Sequence, residues 1–403
     1  MLLKLAWRNI WRNKRRTFIT LMMIQFAVVL ATFMAAFRSG IMESQVANVV
    51  GGFQGYGTIN DTAFIKEPFI DHIVAYDDST IKYLESQLQI SAYSPRIIGG
   101  GMLTCGDKFK IIRVTGVDPY LENQLTHLSS ALIEGRMMQN SGEVVLGARL
   151  AQRIKADIDS TVYFSGLGYH GNSANMLLRV VGIVKLSNVE EDKRLALISL
   201  SDAREGFALY EGVNQVVLSF NDNTRALETV NQLKSTFTQS SQLYAWQELN
   251  EPLYMLVAIN DAANIIISAM LYFVISFGLF GTILMMLAER KREFGMLIAL
   301  GMQKSKLGYI VYLENTLLAL IGTALGFLIA VPLIFYFNEF PLDISGQMAE
   351  DMEKYGFQAQ LRTSVKGIIF LGQAMAILGI TLLFSSYPIL KIRSMDAVKA
   401  MQS

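Results

Sequence analysis

Four runs free of Asp, Glu, Lys and Arg constrain this chain more than any other feature: Thr17–Phe37, Ala262–Ala288, Asn315–Asn338 and Gly367–Leu390. Each matches or exceeds the roughly 20 apolar residues that cross a bilayer core. A backbone in lipid must satisfy its own N–H and C=O groups, so each run is expected to be a helix. The composition agrees, because 52% of the 403 residues are hydrophobic and only 17% are charged, against about a quarter charged in soluble domains. The first run could pass for a secretory signal, but it exceeds the ~7–15 residues of a signal's apolar region. Phe33, Met34, Phe37 and Arg38 also offer no small-residue cleavage site, so it reads as a retained anchor. The helix bounds expected are 17–38, 264–288, 307–337 and 367–390, the third reaching back past Glu314.

Charge decides the orientation, since lysine and arginine accumulate on the cytoplasmic side of membrane helices. Residues 1–16 carry six of them and no acid, residues 289–306 carry five against two acids, and residues 391–403 carry three against one. The other side holds residues 39–263, with 17 basic and 25 acidic, and residues 338–366, with three and five. The expected layout places both termini and the 289–306 loop in the cytoplasm.

Within residues 39–263 the pattern changes. RIIGGGMLTCGDKFKIIRVTGVDP (Arg96–Pro119) sets β-branched residues around a glycine-bearing turn and reads as two strands. LLRVVGIVKL and NQVVLSF read as further strands, and TRALETVNQLKSTF places Ala226, Leu227, Val230, Leu233 and Phe237 at helical spacing. The fold class expected is a membrane protein of four transmembrane α-helices, one plus three. A large extracytoplasmic α/β domain is inserted between the first helix and the second.

No motif for catalysis stands out. There is no G-x-x-x-x-G-K-[ST] to cradle a nucleotide's phosphates, no G-x-S-x-G and no H-E-x-x-H. His72, His127 and His170 stand 55 and 43 residues apart, and the single cysteine, Cys105, excludes an internal disulfide. The 20 methionines suit lipid-facing and gap-filling positions. No enzyme activity, no cofactor or metal on this chain, and no nucleic-acid partner is expected.

The stretch AERKREFGMLIALGMQKSKL, residues 288–307, interrupts the uncharged runs with five cations and two carboxylates around an apolar patch. Phe294, Leu297, Ile298 and Leu300 recur as on a short amphipathic helix. Glu289 and Glu293 stand ahead of it and Lys304 and Lys306 behind, as the helix dipole favours. Such a face either docks into a partner's groove or rests on the membrane surface. Glu314 is the one carboxylate inside an apolar run, about seven residues or ~10 Å of helix beyond Leu307. A charge there calls for a partner, or for a part in conformational coupling or proton movement. Gly322 and Gly326, in GTALG, put small residues at i and i+4, which allows close helix approach and, as one reading, a seam with a second chain. At the N-terminus Leu3, Trp7, Ile10 and Trp11 form an apolar stripe on a basic segment, the pattern of an interfacial amphipathic helix over residues 1–16.

At these residues the sequence resembles a known family. ERKREFGMLIALGMQKSKLGYIVYLENTLLALIGTALGFLIA is similar to the E-R-x-R-E-[IF]-G-x-L-x-A-L-G motif of the FtsX-like/MacB-type ABC transporter permeases. The match runs through Glu289, Arg290, Arg292, Glu293, Gly295, Leu297, Ala299, Leu300 and Gly301, with Glu314 in the L-E of the next helix. The ending YPILKIRSMDAVKAM resembles the family's P-A-x-x-A-x-x-x-D-P-x-x-A-L through Pro388, Asp396, Val398 and Ala400, while Met395 and Ala397 depart from it. LAWRNIWRNKRRTFIT, VTGVDP, EVVLGARLA, RVVGIV and WQELNEP look like phrases of the lipoprotein-releasing (Lol-type) permeases, so the likeness covers nearly the whole chain.

The resemblance implies a complex in the bacterial inner membrane. Two permease chains, identical or paralogous, would join two copies of a separate ATPase that binds ATP and Mg. ATP-driven closure would act on the helix in residues 289–306, with Phe294–Gly301 as the coupling helix and Arg290 to Arg292 orienting it at the headgroups. Motion rather than a channel would carry the work to the extracytoplasmic domain, which would lift a lipoprotein from the outer leaflet and pass it to a periplasmic carrier. Two other readings stay open. One is an efflux permease like MacB, for peptides or small molecules, although MacB carries an ATPase ahead of its first span for which residues 1–16 leave no room. The other is a mechanical signaller like FtsX, acting on wall hydrolases, whose external domain is much smaller.

Overall fold

A computed structural model describes residues 2–12, 14–234, 241–347, 349, 352 and 360–396. The chain divides into two compact units: Met1–Glu43, Val257–Asp343 and Gln360–Ser403 form the first, Ser44–Leu256 and Ile344–Ala359 the second.

The first unit is helical. Its elements are α1 (Leu2–Arg12), α2 (Lys14–Val46), α3 (Glu251–Glu289), α4 (Lys291–Ala299), α5 (Lys304–Glu339), α6 (Gly367–Ser385) and α7 (Tyr387–Arg393). Among the described residues four stretches are long and apolar enough to cross a membrane: Thr17–Gln54, Glu251–Glu289, Lys304–Glu339 and Gly367–Arg393. The first ends in a π-helical stretch, Ala47–Gln54, and the fourth is interrupted at Ser386, ahead of Pro388. Large apolar side chains stay exposed along them, among them Met270, Phe273 and Phe277 on α3 and Ile368, Leu371 and Leu383 on α6. Contiguous apolar surface of this kind suits hydrocarbon or a second helix rather than water.

Small residues let α5 pack closely. A Cβ on Gly322 would come within 2.8 Å of Ile24 Cγ2, and one on Gly326 within 2.6 Å of Val28 Cβ. The two glycines therefore admit a ridge of α2, whose Ile24 and Val28 are likewise four residues apart. The close approach that the small-residue spacing allowed is thus made, within the chain, to α2.

α1 is amphipathic, but its stripe divides. Ala6 and Ile10 are buried, whereas Trp7 and Trp11 are about half exposed and meet edge to face at 6.0 Å. Each is an i, i+4 pair, and the two lines run roughly 100° apart around the helix, so one turns inward and the other outward. The Leu3 side chain lies outside the described residues. Thr17 Oγ1 donates to the Ile10 carbonyl at 2.5 Å and fixes α1 to the first turn of α2.

Among the described residues, the second unit is built on ten strands. They are β1 (Gly57–Asp61), β2 (Ile90–Cys105), β3 (Lys108–Val117), β4 (Leu132–Gly135), β5 (Glu143–Gly147), β6 (Thr161–Leu167), β7 (Ser173–Val184), β8 (Leu195–Ser199), β9 (Gln215–Phe220) and β10 (Ser241–Ala245). Their order is β10-β1-β9-β2-β3-β8-β5-β7-β4, and β6 pairs with both β2 and β7. The path β2-β3-β8-β5-β7-β6 thus returns to β2, and a closed ring of strands exposes no unpaired edge. The pairs β3·β8 and β5·β7 are parallel, and the rest of the ring is antiparallel.

The strand readings fall where alternation put them. Arg96–Pro119 holds the paired ends of β2 and β3 around the turn at Gly106 and Asp107, with Cys105 opposite Lys108 and Arg96 opposite Val117. LLRVVGIVKL lies mostly in β7 and NQVVLSF in β9, while the helix Ala226–Leu233 buries Ala226, Val230 and Leu233. Phe237 lies outside the described residues.

A buried ion pair ties the helix Pro119–Thr126 to the sheet. Arg96, 2% exposed, donates to Glu122 through Nη2 at 2.7 Å and Nε at 3.0 Å, and Ser94 Oγ adds a third bond at 2.8 Å. The same guanidinium lies 4.1 Å from the ring centroid of Phe53, at the end of the π-helical stretch.

Candidate functional site

The charged insert begins where α3 ends. Glu289 closes α3, Arg290 leaves helical geometry with φ −98° and ψ 6°, and α4 starts at Lys291. Arg290 is buried and reaches three groups. Its Nη1 donates to Glu314 Oε2 at 2.8 Å, its Nε to Glu293 Oε2 at 3.2 Å, and its guanidinium carbon lies 5.1 Å from the Phe294 ring centroid. Glu314 is fully buried on α5, and an arginine at hydrogen-bond distance is the compensation such a carboxylate needs. Glu293 also accepts from Arg12 Nη2 at 2.6 Å. Four charges therefore run from α1 through α4 to α5 in the order Arg12, Glu293, Arg290, Glu314.

Packing roots the same helix. Phe294 is fully buried among Ile283, Met286, Leu287, Leu307 and Val311, with Leu297 and Ile298 partly buried beside it. Burying a ring of that size stabilises by roughly 1.5–3 kcal/mol. Gly295 is buried next to it. The opposite side carries Lys291, Arg292, Met296, Ala299 and Leu300, and Leu300 is 84% exposed. Of the four apolar residues at helical spacing, the chain's own core takes Phe294, Leu297 and Ile298, while Leu300 remains at the surface.

Gly301 ends α4. Its φ is +94°, its N–H donates to the Ile298 carbonyl at 3.0 Å, and the Met302 N–H donates to the Leu297 carbonyl at 3.0 Å. This is a Schellman closure, which calls for glycine at the left-handed position. Lys304 Nζ then donates to the Met395 carbonyl at 2.6 Å, joining the start of α5 to the residues after α7. Val398 and Ala400 of the C-terminal motif lie outside the described residues.

The arrangement is a short helix held on one side by an apolar root and a line of charges, with its other side open. In the sequence Arg12 is one of the six basic residues of 1–16, and no local spacing pairs it with Glu293, 281 residues away. The histidines fall elsewhere. His127 ends the helix Pro119–Thr126 in the left-handed conformation, and the His170 backbone N–H donates to Asp71 at 2.6 Å. Among the described residues, no three or more His, Cys, Asp and Glu side chains gather as metal ligands would.

Comparison with known proteins assigns both parts of the chain. Residues 265–397 match the model of the FtsX-like permease C-terminal region, and residues 17–236, more than half the chain, match the MacB-like periplasmic core domain. The lipoprotein-releasing system transmembrane protein LolC of Neisseria meningitidis serogroup B (strain ATCC BAA-335 / MC58) is 21% identical over 294 residues, 70% of this chain and 71% of that one. The solved periplasmic region of MacB from Actinobacillus actinomycetemcomitans is 15% identical at a TM-score of 0.36, covering 52% of this chain and 97% of that one. The extracellular domain of the noncanonic ABC-type transporter YknZ from Gram-positive bacteria is 11% identical at 0.32, covering 46% and 98%. Permeases of this kind are not themselves enzymes and act with ATPase subunits. With a MacB-like core followed by an FtsX-like C-terminal region, the chain belongs to the FtsX-like/MacB-type family of ABC transporter permeases.

Proposed function

We propose that this chain is the permease through which a separate ATPase drives conformational change in an extracytoplasmic domain, releasing lipoproteins from the bacterial inner membrane. The observation that carries the reading is the line Arg12, Glu293, Arg290, Glu314 beneath α4. A helix rooted by charge and packing on one side, with Arg292, Met296 and Leu300 open on the other, has the form needed where a partner pushes.

In this reading residues 289–306 and both termini are cytoplasmic, residues 39–263 are extracytoplasmic, and ATP and Mg reside on the partner ATPase. Closure of the ATPase presses on the open side of α4. The ion pairs and the Phe294 root pass that displacement to α1, α3 and α5. A second permease chain, identical or paralogous, completes the complex, and a periplasmic carrier receives the cargo. The likeness to LolC over 70% of this chain favours lipoprotein release over efflux.

Purification with the ATPase, followed by mass spectrometry of co-purified acylated proteins, tests the cargo. An acylated protein that is bound and then released on ATP addition is the expected result. Peptide- or drug-stimulated ATP hydrolysis with no acylated protein would replace lipoprotein release by MacB-like efflux.

A further inference from the structure

One face of the sheet in the second unit carries several polar residues where burial would favour apolar ones. Asn60 on β1 stands opposite Gln215 on β9, and Gln215 opposite Arg96 on β2. Thr58 lies two residues before Asn60, and Thr115 on β3 stands opposite Ile98, two residues after Arg96. Side chains two apart share a face, so polar side chains recur on this face in all four strands, with Val117 and Val217 set among them. The reverse face is apolar as expected, with Ile59, Ile97, Val114 and Val216 buried.

The polar face lines a cleft of about 260 Å³. Among its lining side chains, Thr58 and Arg96 are almost wholly buried. Thr58 is 2% exposed and its hydroxyl has no hydrogen-bond partner, while Arg96 commits Nε and Nη2 to Glu122. A buried hydroxyl with no protein partner at the wall of a cleft takes its bond from what fills the cleft, water or a ligand. Arg113 and Arg194 line the same cleft from exposed positions, together with Glu191, Phe53 and Trp246. Arg194 also approaches Glu190 at 3.5 Å, but Glu190 is already paired with Lys193 at 2.5 Å. Because Glu122 neutralises Arg96, and Glu191 offsets one arginine, the lining carries about one excess positive charge.

We propose that this cleft binds a glycerophosphodiester, a monoanionic phosphate bearing glycerol hydroxyls. Arg113 and Arg194 present guanidinium forks to the phosphate. Thr58 and Gln215 bond the hydroxyls, and Phe53 and Trp246 hold the aliphatic remainder. The cleft's lining adjoins, along the chain, the candidate membrane helices that end at Gln54 and begin at Glu251. That continuity favours a lipid headgroup as the source over a soluble ester.

The full-length protein tests this in two arms. In a Trp7→Phe/Trp11→Phe background Trp246 is the sole tryptophan, and its fluorescence reports the cleft. Glycerophosphoglycerol is titrated in detergent. Nanodiscs of phosphatidylcholine doped with brominated phosphatidylglycerol supply the lipid arm, with brominated phosphatidylcholine as control. Saturable quenching by the phosphatidylglycerol alone assigns a lipid headgroup, and a saturable response to the soluble probe assigns the free ester. Arg113→Gln/Arg194→Gln, at exposed positions, should weaken either response by about tenfold or more. Thr58→Val, nearly isosteric, should weaken it too. No saturable response in either arm, or one that the double arginine variant leaves unchanged, overturns the proposal.

Discussion

Arg290 stands between two carboxylates that are not equivalent, since Glu314 is fully buried and Glu293 is 43% exposed. Desolvation and attraction roughly cancel in a buried pair, but removing one partner takes that attraction from the charge left behind, at a cost of up to about 3–5 kcal/mol. Arg290→Ala should therefore lower stability by about that amount in detergent unfolding, whereas Glu293→Ala should cost less than about 1 kcal/mol. Arg290→Met/Glu314→Leu, which removes both charges, should regain most of the loss yet still uncouple ATP hydrolysis from transport. A double variant as unstable as Arg290→Ala would show that the pair itself holds α4 in place. In the second unit, Arg136 donates to both oxygens of Glu143, and the backbone N–H groups of Gln139 and Asn140 add to it, holding that carboxyl well below its ordinary value near 4.5. A depressed folded pKa contributes stability above the unfolded value and loses it as pH falls through the folded one. The melting temperature should therefore drop between about pH 5 and pH 2, and Glu143→Gln should flatten part of that drop.

Among the elements, α4 separates surface from support. Leu300→Asp changes a side chain that is 84% exposed, so stability should move by no more than about 0.5 kcal/mol. Transport should nevertheless uncouple from ATP hydrolysis if a partner grips this edge. Leu297→Asp, in the apolar cluster, should instead unfold the helix from its support, and equal effects of the two substitutions on both readouts would count against a distinct docking edge. On α5, Gly322→Leu drives a side chain into Ile24 and should lower the melting temperature, with Ile24→Ala restoring part of it. The long helices were legible because hydropathy needs only a run of residues, and β2, β3, β7 and β9 because alternation is equally local. What stayed hidden was pairing across distance. Periodicity marks Phe294 and Leu300 as apolar without saying that one enters the chain's own core. The spacing of Gly322 and Gly326 announces a close contact, but only α2 reveals with which helix. One partner of Glu314 sits in the motif itself at Arg290, 24 residues earlier, yet its choice over water needed the fold.

For the whole molecule, orientation is the property on which the proposed mechanism turns, and lysine and arginine counts predict it without any contact. Segments holding 14 basic and 3 acidic residues are assigned to one side, and residues 39–263, with 17 basic and 25 acidic, to the other. The chain offers its own reporter, because its single cysteine, Cys105, is free and partly exposed beside the β2–β3 turn. A membrane-impermeant maleimide added to intact spheroplasts should label Cys105 without permeabilisation. In a Cys105→Ser background, Lys306→Cys, at an exposed position in the first turn of α5, should label only once the membrane is opened. The paired result matters more than either half, since a leaky preparation labels both sites and an inaccessible thiol labels neither. Labelling of Lys306→Cys from outside, with Cys105 protected, would put α4 and its ion pairs on the side without ATP. An ATPase could not then press on Leu300, and the charge line from Arg12 to Glu314 would have to be read as static support.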